Sequence, residues 1–133
     1  MCIFCEIAKK NIPSRIVYED DKTLAFLDLS PINSGHTLII PKKHFDNFFD
    51  LDEETASSLS KTTLKVVHIL KDKLGYRNLN IINNSGEIAG QTVMHVHIHV
   101  IPRVENDLLK IEFGKNEEAN NDLDKTLDII KKA

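Results

Sequence analysis

Between His95 and Ile101 the chain reads His-Val-His-Ile-His-Val-Ile, and no other feature constrains the fold as much. Period two is strand spacing, so the three imidazoles leave the backbone on one face while Val96, Ile98 and Val100 face a core on the other. Successive side chains on one face of a strand stand about 7 Å apart. Gathering imidazoles is costly, because every ring nitrogen needs a partner and mutual proximity disfavours the protonated forms. One histidine in an apolar strand reads as a packed core residue. Three in register read as a site.

The surrounding pattern supplies a sheet and one long helix. Residues 3–9 form a short helix, and 15–19 and 23–28 read as strands around the acidic turn at Asp20-Asp21. Ser30-Pro31-Ile32-Asn33-Ser34-Gly35 is a loop, and 37–40 is an apolar strand closed by Pro41. Asp50 or Asp52 caps the long helix, Leu59, Val66, Val67, Leu70 and Leu74 recur at helical spacing, and Gly75 stops it. Strand 78–83 and the polar loop 84–91 lead into the histidine strand. A tail helix over 122–132 offers Leu123, Leu127 and Ile130 as one face, and His68 reads as an ordinary helix-surface histidine. These elements predict an α+β fold with a mainly antiparallel sheet of about five strands, one long helix and short terminal helices. With 133 residues, a single domain spans 1–133, residues 104–133 being a variable C-terminal tail.

Charge and cysteine usage exclude several function classes. Basic and acidic residues number 17 and 20, and the acidic excess falls wholly in 105–133. With no Trp, two Tyr and no basic stripe, the chain lacks the footprint of a nucleic-acid binder. No apolar run reaches spanning length, so no membrane partner is expected, and the first residues lack the pattern of a secretory signal, which makes the cytoplasm the expected location. Cys2 and Cys5 form a Cys-x-x-Cys pair, in such a compartment metal-binding or redox-active rather than a structural disulfide. The βαβ setting of a redox pair is missing. Two thiolates leave a tetrahedral zinc short of two ligands, with His36, His44, His68 and the three strand histidines as candidates.

Gly35-His36-Thr37-Leu38-Ile39-Ile40-Pro41-Lys42-Lys43-His44, the loop Asn83-Asn84-Ser85-Gly86 with Gly90-Gln91-Thr92, and His95-x-His97-x-His99 together resemble the histidine triad family, over roughly residues 2–103. Cys2-Ile3-Phe4-Cys5 and Ala25-Phe26-Leu27-Asp28 are similar to its small bacterial, Hint-like members. The resemblance implies a nucleophilic His97, a phosphate-contacting His99 and a supporting His36. It implies phosphate binding by Asn84, Gly90, Gln91 and Thr92 and ribose binding by Asp28, with Phe4, Ile7, Phe26 and Leu38 walling the base pocket. It also implies a structural zinc on Cys2, Cys5, His44 and His95, no metal in the chemical step, and a homodimer whose sheet continues across the interface. Thr92 stands where many relatives carry serine, and the tail lacks the Trp-bearing ending of the eukaryotic purine phosphoramidases.

The implied reaction is hydrolysis of a nucleoside 5′-monophosphate conjugate, releasing AMP or GMP from a phosphoramidate, acyl-nucleotide or dinucleoside polyphosphate. Neutral imidazole suits it, because the ring attacks near pH 7 and leaves readily from the covalent intermediate. Alternative readings are a metallohydrolase with a zinc-bound hydroxide, a uridylyltransferase, and a nucleotide-binding regulator with incidental turnover. The third of these would bind nucleotide tightly without turning it over. Uridylyltransferases generally carry glutamine in place of His99.

Overall fold

The computed structural model describes residues 1–132, built around one five-stranded sheet. Strands β1 (Ile16–Glu19), β2 (Thr23–Leu27), β3 (Thr37–Pro41), β4 (Leu79–Ile82) and β5 (Ile98–Pro102) lie in the order β1-β2-β3-β5-β4, each neighbouring pair antiparallel. Helices α1 (Ile3–Ala8) and α2 (Glu53–Leu74) cover its two faces, and α3 (Glu117–Asn121) and α4 (Leu123–Lys131) follow it in the chain. Strand alternation separates the two cores. Ala25, Ile39, Ile98 and Val100 meet Leu59, Val66 and Leu70 of α2, whereas Leu24, Phe26, Leu38 and Ile40 meet Phe4 and Ile7 of α1. The α+β architecture with one long helix is the one the sequence predicts. Among the described residues, no helix is long and apolar enough to cross a membrane.

Helix α2 begins and ends where its capping residues dictate. The Asp52 carboxylate accepts from the Thr55 N–H at 2.7 Å, and Gly75 takes φ 76° at the C-terminus. Its buried stripe differs from the purely apolar expectation. Leu74, the last helical residue, is 54% exposed, while Thr62 and Thr63 are buried. Both hydroxyls are satisfied: Thr62 pairs with the Thr23 hydroxyl at 2.6 Å, and Thr63 donates to the Leu59 carbonyl at 2.7 Å.

The histidine strand is shorter than its alternation suggests. The β3–β5 ladder ends at Ile39 opposite Ile98, leaving His95 and His97 ahead of the regular strand. Continuing the register would bring Val96 opposite Pro41, which has no N–H to give. The Val96 N–H donates instead to the Phe45 carbonyl at 2.7 Å, and the Pro41 carbonyl takes the His95 ring at 2.8 Å. The sequence reading also leaves out a 3-10 turn at Phe48–Asp50, which Asn47 caps by accepting from the Phe49 N–H. In the tail, α4 forms close to its expected bounds, but Leu123, Leu127 and Ile130 are all exposed, and α3 is an addition capped by Asn116.

Gly35 turns the loop into β3 with φ 96°, and a Cβ there would lie 3.0 Å from Leu74 Cδ1 and 3.1 Å from Leu70 Cδ2. Alanine at this position meets both backbone strain and a crowded helix end. Gly35→Ala is expected to cost about 2–3 kcal/mol, read as a lower urea midpoint with an unchanged slope. A midpoint equal to the parent's would show that the loop and helix yield without strain.

Candidate functional site

Two clusters share the region where α1 meets the histidines. The first joins the N-terminus to the loop after β3. Cys2 Sγ lies 3.3 Å and Cys5 Sγ 3.4 Å from His95 Nδ1, Cys5 Sγ lies 3.3 Å from His44 Nδ1, and the two Nδ1 atoms are 3.2 Å apart. The outer nitrogens are committed elsewhere: His95 Nε2–H donates to the Pro41 carbonyl and His44 Nε2–H to Asp46 Oδ1, each at 2.8 Å. A neutral ring carrying its proton on Nε2 presents a lone pair at Nδ1, so both lone pairs converge with two sulfurs on one point. Two imidazole lone pairs and two thiolates aimed at one point make a donor set suited to a soft divalent cation. Tetrahedral zinc with Zn–N of about 2.0–2.1 Å and Zn–S of about 2.3 Å separates its ligands by about 3.3–3.8 Å. The four donors, all within 4.8 Å of one another, fit that ion.

The second cluster borders a cleft of about 280 Å³ lined by Phe4, Ile7, Phe26, Leu38, Asp28, Gly90, Thr92, His97 and His99, among others. His97 is buried, with its Nδ1–H donating to the His95 carbonyl at 2.8 Å. In the neutral ring Nε2 is then the nitrogen with the lone pair. Phe4 packs edge-on against the ring at 5.0 Å, and Asn83 Nδ2 donates to the His97 carbonyl at 2.9 Å. The His97 and His99 ring centroids are 5.1 Å apart, closer than bare strand spacing.

His36 precedes β3 and reaches across to β5. Its Nδ1 accepts from the Ile32 N–H at 3.1 Å, which puts the proton of the neutral ring on Nε2. That Nε2–H donates to His99 Nδ1 at 3.0 Å, and Asp28 Oδ2 lies 3.4 Å from the same nitrogen. His99 must then carry its own proton on Nε2. Burial pushes the His36 ring below the ordinary histidine range, against the pull of Asp28. Burial, with His97 and His36 beside it, takes His99 down to about 4. Both rings are neutral near pH 7. Asp28, His36 and His99 are also close enough together to suggest a cation site. The Ile32 N–H argues against one, since it holds the His36 proton on the nitrogen a metal would need.

Some residues expected at the site lie behind it. Gln91 is buried, with Oε1 accepting from the Gly86 N–H at 2.9 Å and Nε2 donating to the Asp46 and Val93 carbonyls at 2.6 and 3.0 Å. In this conformation its side chain braces the loop and has no donor free for the cleft. Asn84 packs beside Gly90, with Nδ2 3.4 Å from where a Cβ on Gly90 would stand, and neither it nor His36 lines the cleft. His68 is exposed on α2, far from both clusters in role and partners.

The sequence reading missed other contributors. Ile12, Arg15 and Val93 line the cleft, but nothing in their spacing signals it. Asp46 follows His44 by two residues, and a carboxylate so placed after a ligand candidate is a signal that could have been used. The loop that presents His36 is held by the end of β5 and the segment that follows it. Asn33 Nδ2 donates to the Pro102 carbonyl at 2.8 Å and to Asp107 Oδ2 at 2.9 Å, while Arg103 makes a two-pronged pair with Asp107. That guanidinium holds the Asp107 carboxyl well below the usual carboxylate range.

Known proteins resemble this chain over most of its length. A family model described as HIT domain matches residues 9–106. The chain is 49% identical over 131 residues to an uncharacterized HIT-like protein of Methanocaldococcus jannaschii, covering 98% of this chain and 99% of the relative. It is 40% identical over 102 residues to an adenosine 5′-monophosphoramidase of Schizosaccharomyces pombe, covering 77% of this chain and 74% of that protein. Over 108 residues it is 35% identical to an adenylylsulfatase of Arabidopsis thaliana, covering 81% of this chain and 55% of the relative. Among solved structures, a HIT-family protein of Bacillus subtilis superposes with TM-score 0.91 at 38% identity, covering 99% of this chain and 97% of that one. A zinc-bound histidine triad family protein of Mycobacterium smegmatis superposes with TM-score 0.77 at 34% identity, covering 97% and 94%.

Proposed function

The chain belongs to the HIT family, and from that premise we propose that it hydrolyses nucleoside 5′-monophosphate conjugates through a nucleotidyl-His97 intermediate. The observation that carries this reading is the His97 ring, with Nδ1–H fixed by the His95 carbonyl, which leaves Nε2 of the neutral ring as the nitrogen able to attack at the cleft. Nε2 attacks the α-phosphorus and forms a P–N bond as the bond to the leaving group breaks. Water then attacks the same phosphorus, the P–N bond breaks, and the nucleotide is released with His97 restored. His99, protonated on Nε2 and lining the cleft, donates toward the oxygens where charge gathers. Thr92 and Gly90 line the same cleft, and Asp28 receives the ribose hydroxyls. Phe4, Ile7, Phe26 and Leu38 form the apolar slot for a purine base of AMP or GMP.

The phosphoramidase and adenylylsulfatase among the relatives support a leaving group attached through nitrogen or sulfate oxygen. Zinc on Cys2, Cys5, His44 and His95 would be structural, since four protein ligands leave no open position for water or substrate. The zinc-hydroxide alternative needs such a position. The expected homodimer belongs to the same reading: the sheet ends in β1 and β4, and Ile81 on β4 is 54% exposed.

The intermediate is directly testable. Mixing enzyme with an adenosine 5′-phosphoramidate labelled in the α-phosphate and quenching in milliseconds is expected to trap one labelled adenylate per active chain, stable to alkali and labile to acid. Mapping should place it on the peptide containing His97. Turnover with no labelled protein at any quench time, and with sensitivity to chelator, would replace this mechanism with the zinc-hydroxide one.

A further inference from the structure

The N–H that His99 turns to the cleft depends on one neighbour. Among the described residues, its only ring partner is His36, whose Nε2–H it accepts at Nδ1 across 3.0 Å. His36 lies on no strand. It closes the loop between β2 and β3, and the β3–β5 ladder begins one residue later, at Thr37. What orients its ring is therefore the loop itself. The Ile32 N–H sets the tautomer from Nδ1, and the His36 N–H donates to the Asn33 carbonyl at 3.1 Å. Residues 32 and 33 thus carry the ring, and the side chain of Asn33 ties them to the strand that bears His99. One N–H of its amide goes to the carbonyl of Pro102, the last residue of β5, at 2.8 Å. The other goes to Asp107 Oδ2 at 2.9 Å.

Asp107 is outside the cleft, yet its side chain is only 3% exposed. A carboxylate is withdrawn from water at a cost unless donors meet its oxygens. Arg103 Nε and Nη2 meet them at 2.8 Å each, and the Val104 and Leu109 N–H groups at 3.2 and 3.3 Å. Those partners belong to its own turn. The bond from Asn33 comes from 74 residues away, and an ionised acceptor makes it a strong one. We infer that Asp107, acting through Asn33, is a positioning residue: it holds residues 32 and 33 against the end of β5, keeping the His36 Nε2–H on His99 Nδ1 and the His99 proton on Nε2. The catalytic part of this inference rests on the reading of His99 as the donor to the substrate phosphate; the hydrogen-bond part stands apart from it. The Arg103 guanidinium keeps the carboxyl well below the usual carboxylate range, so the clamp stays charged at any pH where the neutral histidines work.

Asn33→Ala in the full chain removes both side-chain donations. It leaves the Tyr76 hydroxyl on the Ser34 carbonyl at 2.7 Å and the backbone bonds of the loop, so the fold should survive, which a melting curve checks. With adenosine 5′-phosphoramidate, kcat is expected to fall about tenfold at nearly unchanged KM, a fraction of the 10²–10³ lost when a donor is deleted outright. Asp107→Asn keeps the shape of the clamp without its charge and should act in the same direction, less strongly. The decisive comparison adds Asn33→Ala to His36→Ala. A residue that works through His36 costs nothing further once that ring is gone, whereas independent losses multiply. A second readout needs no substrate. With ¹⁵N-labelled histidine, long-range ¹H–¹⁵N correlation should show His99 in the Nε2–H form in the parent and drawn toward a mixture of tautomers in Asn33→Ala. Multiplying losses in the double variant, or identical His99 ring nitrogens in parent and Asn33→Ala, would overturn the positioning role and leave Asp107 an anchor of its own turn. If the parent turns over no phosphoramidate, the proposed reaction fails, and the ring spectra still decide whether Asn33 sets the His99 tautomer.

Discussion

His97→Ala is expected to lower kcat for AMP release from adenosine 5′-phosphoramidate by at least about 10⁴-fold, the scale on which deleting a covalent nucleophile acts. That corresponds to about 5.5 kcal/mol of transition-state stabilisation. KM should change little by comparison, because Asp28 and the apolar walls of the cleft remain. Removing the ring also removes the edge contact with Phe4 at 5.0 Å, so a melting curve is needed beside the assay. His97→Gly supplies the sharper control. Free imidazole can enter the vacated volume and attack in its place, and partial rescue that depends on the concentration of neutral imidazole is the expected result. Wild-type rates in His97→Ala would remove the ring from the chemistry.

Replacing both Cys2 and Cys5 with serine is expected to abolish binding of one zinc per chain, measured by metal analysis of protein purified with zinc present. The larger consequence is structural. Cys2 caps α1 and Cys5 lies within it, and the Phe4 and Ile7 of that helix are buried against Phe26, Leu38 and their neighbours. A six-residue helix is too short to persist in water by itself. Without the link to His44 and His95 it should fray, exposing two large side chains worth about 1.5–3 kcal/mol each. A loss of about 3–5 kcal/mol in unfolding free energy is therefore expected, together with weaker nucleotide binding as one wall of the cleft opens. The Cys2→Ser, Cys5→Ser chain should retain a sheet, because the α2 face of the core does not involve α1. Full stability and undiminished zinc in the double variant would mean that the donors serve no structural metal.

The histidine alternation was legible because side-chain direction along an extended backbone is local geometry. So were both ends of α2, since Asp52 and Gly75 act through the hydrogen bonds and φ angle of their own neighbourhood. Where a distant partner decided the outcome, local pattern misled. Pro41 ended the β3–β5 ladder from across the sheet, and Thr62 took a core position because Thr23 stood opposite to receive it. Leu74 and the α4 leucines had the right spacing, yet Leu74 stays half exposed at the helix end and Leu123 and Leu127 face outward among the described residues.

By itself, then, the sequence determined the class of fold, the residues able to carry the chemistry and, through family resemblance, the two sets into which they divide. Only the tertiary structure decided which ring nitrogen of each histidine is free. The Pro41 carbonyl turns His95 Nδ1 to the thiols, the His95 carbonyl bares His97 Nε2 at the cleft, and the Ile32 N–H points the His36 proton at His99. A histidine's function depends on its tautomer, and the tautomer depends on hydrogen-bond partners, in the case of His95 a carbonyl 54 residues away. The distant partners among them, Pro41 for His95 and His36 for His99, meet only when β3 lies beside β5.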